Sequence, residues 1–107
     1  MPLVEDLFEA VSEEMSAAND GVEIGKIFHS TGLKSRGKFF AFVRRGELVV
    51  KLPAERVGQL VSTDEGLRFE AGKGRPMKEW VVLRPADRDT VATYVEEALA
   101  FLTTSER

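Results

Sequence analysis

Lys38-Phe39-Phe40-Ala41-Phe42-Val43-Arg44-Arg45-Gly46-Glu47-Leu48-Val49-Val50-Lys51-Leu52 carries the pattern from which the architecture of this chain follows. Two runs of β-branched and aromatic residues flank Arg45-Gly46, a pair compatible with the two-residue primed turn of a β-hairpin. With that pair as the loop, Arg44 opposes Glu47, Val43 opposes Leu48, Phe42 opposes Val49, Ala41 opposes Val50 and Phe40 opposes Lys51. Side chains alternate across a strand, so this register sorts the hairpin onto two faces. One face holds Phe39, Ala41, Val43, Leu48, Val50 and Leu52, apolar throughout, and belongs beneath a covering layer. The other holds Phe40, Phe42 and Val49 inside a ring of Lys38, Arg44, Glu47 and Lys51. A slip of one residue would drive charges into the core.

The covering layer comes from three segments with helical periodicity. Leu3, Leu7, Val11 and Met15 recur every four residues, widened by Val4 and Phe8, and Asn19-Asp20-Gly21 supplies a stop. A shorter helix has Pro53 at its first position, an apolar face of Val57, Leu60 and Val61, and a break at Thr63-Asp64-Glu65-Gly66. The third follows Pro85, with Asp87 as N-cap and a stripe of Val91, Tyr94, Val95, Ala98, Leu99 and Leu102. Further strands read as Val22–His29, Leu67–Ala71 and Met77–Leu83, the last two joined by the turn Gly72-Lys73-Gly74-Arg75. In the final strand Met77, Val81 and Leu83 share one face. Lys78, Trp80, Val82 and Arg84 share the other, repeating the charge-apolar-apolar-charge pattern of Lys38, Phe40, Phe42 and Arg44. The expected order is α-β-β-β-α-β-β-α. It describes an α+β two-layer sandwich with the helices packed on one face of an antiparallel sheet.

Composition bounds what such a domain does. A length of 107 residues fits one domain, spanning 1–107, and 43% apolar with 31% charged residues fits an ordinary globular core. There is no cysteine, which removes disulfides, thiolate metal sites and thiol nucleophiles. The N-terminal Met-Pro-Leu-Val-Glu-Asp carries acids where a signal peptide carries bases, and no apolar run approaches spanning length, so a cytoplasmic location without membrane contact is expected. A formal charge of −3 argues against indiscriminate nucleic-acid binding.

Gly74-Arg75-Pro76-Met77-Lys78-Glu79-Trp80-Val81 resembles the signature of the TfoX N-terminal domain, the family of TfoX/Sxy-type competence regulators. Gly37-Lys38-Phe39-Phe40-Ala41-Phe42 and Gly46-Glu47-Leu48-Val49-Val50-Lys51 are similar to two of its strands, and Val95-Glu96-Glu97-Ala98-Leu99-Ala100-Phe101 to its closing helix. The likeness runs from about Val22 to Leu102. The chain departs from it at Ile27-Phe28-His29-Ser30, where the family usually has Met-Phe-Gly-Gly. The resemblance implies the same two-layer fold, shared with secretion-chaperone-like domains that are often dimeric. The competence regulators also carry a second, C-terminal helical domain; nothing follows Arg107 here, so a stand-alone domain is expected.

No catalytic, metal or cofactor constellation emerges, so neither an enzyme nor a cofactor is expected. His29 is the sole histidine, with no cysteine to complete a metal site, and its neighbour Ser30 points to the opposite face of an extended strand. Glu9, Glu13 and Glu14 read as a solvated helix face. Lys73, Arg75 and Lys78 are the best anion-contact candidates, beside glycines able to expose backbone N–H groups. Phe40, Phe42, Val49, Trp80 and Val82 are the candidate interface, an apolar centre with a charged rim. The competing expectation is that another element, such as a loop over Ser30–Arg36, covers them. The leading reading is a non-catalytic regulatory module that docks a protein partner or a second copy of itself as a homodimer. The alternatives are a nucleic-acid-associated regulator and a small-ligand binder.

Overall fold

The computed structural model describes residues 3–27, 30–70, 76–85 and 87–105, with the backbone alone at residues 27, 70, 76–78 and 105. The first helix, α1 (Val4–Ala18), carries Glu5 and Asp6 in its first turn, where acids complement the helix dipole. Phe8, Val11, Ser12 and Met15 are its buried stripe. At its end Asn19 donates both its backbone N–H and its Nδ2 to the Met15 carbonyl, each at 3.0 Å. Gly21 then turns the chain with φ at +92°, a region that favours glycine.

Four strands follow as a meander: β1 (Val22–Ile27), β2 (Ser30–Ser35), β3 (Lys38–Arg44) and β4 (Glu47–Lys51). Both described tight turns are Arg-Gly pairs with positive φ throughout, 53° and 81° at Arg36-Gly37 and 51° and 77° at Arg45-Gly46. These are the primed turns whose twist matches that of the flanking strands. The ladder between β3 and β4 runs from Arg44↔Glu47 to Ala41↔Val50, in the register read from the sequence. Helix α2 (Ala54–Ser62) starts one place later than expected, with Pro53 as its N-cap. The chain then returns as β5 (Leu67–Glu70), β6 (Pro76–Leu83) and α3 (Arg88–Ser105).

The six strands lie in the order β1-β2-β3-β4-β6-β5, every neighbour antiparallel, with the helices on one side. The α+β sandwich and the succession of its helices are as expected, with one strand more. Ser30–Ser35, expected as a loop, is β2, paired with β1 along its whole length and with β3. Its Leu33 is fully buried in the core, and that anchor together with two partner strands outweighs a sequence poor in β-formers.

A bulge in β3 changes the faces expected for two residues. Leu33 pairs with Ala41 and Lys34 with Phe39, so Phe40 is an extra residue with no partner on β2. Phe40 and Ala41 consequently point to the same side as Leu33, and all three are fully buried in the helix-side core. Phe39, expected in that core, is only half-buried. Its ring lies 3.3 Å from the position a Cβ on Gly25 would occupy and 5.9 Å from Lys34 Nζ.

The core between the layers joins Phe8 and Val11 of α1, Val57 and Leu60 of α2, and Val91, Val95 and Ala98 of α3 to the inward residues of β3, β4 and β6. Gly66 is a close-packed point just before β5. A Cβ there would sit 2.6 Å from Val81 Cγ2. Asp87 caps α3 as expected: the Thr90 N–H donates to its Oδ1 at 2.8 Å, which holds the carboxyl below the usual aspartate range. Arg56 Nε donates to Glu97 Oε2 at 2.9 Å, bracing α2 against α3.

Candidate functional site

The helix-free side of the sheet carries a second apolar cluster, separate from the main core. Phe42 on β3, Val49 on β4 and Phe69 on β5 are its buried members, with Trp80 and Val82 of β6 packed against them. The registers Phe42↔Val49 and Val49↔Val82 bring the first strands together directly. Phe69 comes from the sheet edge, two strands away from Phe42 across β4 and β6. An irregularity between Arg68 and Glu70 breaks the β5–β6 ladder where Phe69 stands. Its ring meets Phe42 edge-on, with centroids 5.6 Å apart and planes at 82°, and Trp80 packs on Phe42 at 5.7 Å.

Charges rim this cluster. The Arg44 guanidinium lies 5.2 Å from the centre of the Phe69 ring, within cation–π range. Arg84 donates from Nε and Nη2 to Glu47 Oε2, at 3.1 and 2.9 Å, along the β4–β6 seam. Lys51, at the other end of β4, faces Trp80.

The apolar centre with a charged rim therefore exists, but its membership and exposure differ from the expectation. Phe40 does not belong to it, because the bulge turns that ring into the main core, where it is fully buried. Phe42 and Val49 are each only 1% exposed. Phe69, not a loop over Ser30–Arg36, supplies part of the cover. Phe69 was missed by sequence reasoning; alternation from Leu67 along β5 was the signal that places it on this side. Trp80 and Val82 remain half-buried, and Leu67, which pairs with Val82, is 58% exposed on the edge strand. The accessible apolar surface on this side is centred on Leu67, Trp80 and Val82.

Of the anion-contact candidates, Lys73 and Arg75 lie outside the described residues. Lys78 is on β6, but its side chain lies outside them too. His29 likewise lies outside. Among the described residues no group of three or more His, Asp or Glu is placed to hold a metal ion, and no helix is long and apolar enough to cross a membrane. No protein-family model matches the chain, and no curated protein does.

Proposed function

We propose that this chain is a non-catalytic interaction module of the TfoX N-terminal type, acting in the cytoplasm and docking through the helix-free side of its sheet. The observation that carries the reading is Leu67, 58% exposed on an edge strand beside half-buried Trp80 and Val82, with a rim of both charge signs in Arg44, Glu47 and Arg84. An apolar patch bounded by polar residues is the anatomy of a protein contact. A rim carrying both signs is self-complementary across a twofold axis, so a second copy of the chain is the first partner to test. Sedimentation equilibrium over a wide concentration range, repeated on Leu67→Glu, is the experiment. A dimer that Leu67→Glu dissociates, with its circular dichroism unchanged, supports the reading. A chain that stays monomeric throughout removes self-association. A dimer indifferent to Leu67→Glu moves the contact elsewhere.

A further inference from the structure

On the opposite side of the sheet, a groove of about 500 Å³ runs between α1 and the first strands. Its floor is apolar, built from Phe8, Ile24 and Val43, and its polar lining comes from Glu5, Glu9, Glu13, Ser12, Ser30 and Thr31. That volume lies in the range of small-ligand sites.

Two independent observations distinguish it from a solvated helix face. The first concerns charge. Glu5, Glu9 and Glu13 stand at successive i, i+4 positions, where like charges destabilise a helix. Glu14 and Glu97 on the helices are matched by Arg88 and Arg56, whereas neither Glu9 nor Glu13 has a cationic partner among the described residues. Glu5 uses Oε2 to accept the Gly46 N–H at 2.8 Å, leaving Oε1 unengaged there. The second concerns Ser12. It is 1% exposed, lines the same groove, and its Oγ has no hydrogen-bond partner among the described residues. A buried hydroxyl without a partner is unfavourable and calls for one.

We infer that this groove is a binding site for a linear aliphatic polyamine. The three carboxylates do not converge on a point, as a metal ion would require. They are strung along one helix at intervals of about 6 Å, the rise of four residues. Nitrogens separated by propane or butane spacers repeat on that scale, and the methylenes between them suit the floor of Phe8, Ile24 and Val43. Each ammonium donates to a carboxylate, and one also donates to Ser12 Oγ. Lys26 is the competitor: it pairs with Thr31 across β1 and β2, so it stands on the groove side, exposed.

Isothermal titration of the whole chain with spermidine at physiological salt tests this, with magnesium chloride and a lysine-containing peptide run in parallel. The expected result is saturable one-to-one binding of spermidine that magnesium at equal concentration does not reproduce. The double substitution Glu9→Gln/Glu13→Gln weakens it about tenfold or more, the usual effect of losing charge-assisted hydrogen bonds. Ser12→Ala weakens it while leaving the melting temperature of the free protein no lower, which separates a ligand contact from a structural role. Lys26→Ala tightens it. Heat that never saturates, equal response to magnesium, or equal binding by the Glu9→Gln/Glu13→Gln variant would overturn the site. Binding of the peptide without spermidine would overturn the polyamine assignment.

Discussion

Phe69 packs edge-on against Phe42, 5.6 Å between ring centres, although two strands separate them in the sheet. The contact folds the β5 edge toward β3 and turns what alternation alone describes as an open aromatic face into a closed satellite core. It also changes which residue is a usable probe. At 1% exposure Phe42 is a packing residue. Phe42→Ala is expected to lower stability by about 3–5 kcal/mol, the usual range for a buried phenylalanine, and Phe42→Glu to unfold the chain. Urea denaturation followed by Trp80 fluorescence measures the first. A loss below about 1 kcal/mol would show that the cluster is not packed in solution.

Gly66 carries a sharper steric demand. A methyl group there meets Val81 Cγ2 at 2.6 Å and the Val82 carbonyl oxygen at 3.2 Å, and backbone does not yield as a side-chain tip does. Gly66→Ala is expected to cost about 1–3 kcal/mol through overpacking. Its melting temperature, compared with that of the unsubstituted chain, measures the clash, whereas Gly58→Ala, inside α2 with its nearest neighbour 3.8 Å away, should raise the melting temperature through helix propensity.

The two Arg-Gly turns place arginine where φ is positive, 53° at Arg36 and 51° at Arg45. A left-handed conformation costs an ordinary residue about 1 kcal/mol, and asparagine relieves part of it. Arg36→Asn and Arg45→Asn should each raise the melting temperature, and the double variant should show nearly the sum, since the turns lie at opposite ends of β3. A fall in either would mean that its arginine side chain makes a contact worth more than the strain.

Asp87 sets a pH dependence whose sign follows from its lowered pKa. Its ionised form is stabilised in the fold, first by the backbone N–H of Thr90 and then by the side chain of that residue. The stabilisation is fully present above the ordinary aspartate pKa and is lost as pH falls through the depressed folded value. Asp87→Asn keeps a capping side chain without the titration. Thermal melts from neutral to acid pH should show a shallower acid decline for that variant, and parallel curves would count against the cap as its source.

Much of the architecture was legible because single residues enforce it. Arg45-Gly46 fixes one hairpin, that hairpin fixes its register, and Asp87 and Asn19-Asp20-Gly21 mark helix ends by local hydrogen bonding that needs no distant partner. What escaped the sequence is decided by neighbours. Ser30–Ser35 has one large apolar residue, Leu33, and becomes a strand because β1 and β3 offer ladders on both of its edges. Phe39-Phe40 is apolar at both positions, so alternation gives no sign that a bulge reverses their faces. The candidate surface shifted for the same reasons: the bulge removed Phe40, and the edge strand brought in Phe69. Ser12 sits four residues after Phe8 in the buried stripe of α1, and only the packed structure shows that its hydroxyl is unanswered.

The strand order also governs when the parts meet. β1 to β4 join through neighbouring hairpins, while β6 reaches β4 only after the chain has passed through α2 and β5. Closing that longer loop is the slower step in a fold of mixed local and distant contacts. Trp80, the one tryptophan in the chain, stands on that late seam opposite Lys51 and against Phe42. Its emission therefore reports arrival of the C-terminal half, and far-ultraviolet circular dichroism in a stopped-flow experiment should rise ahead of it.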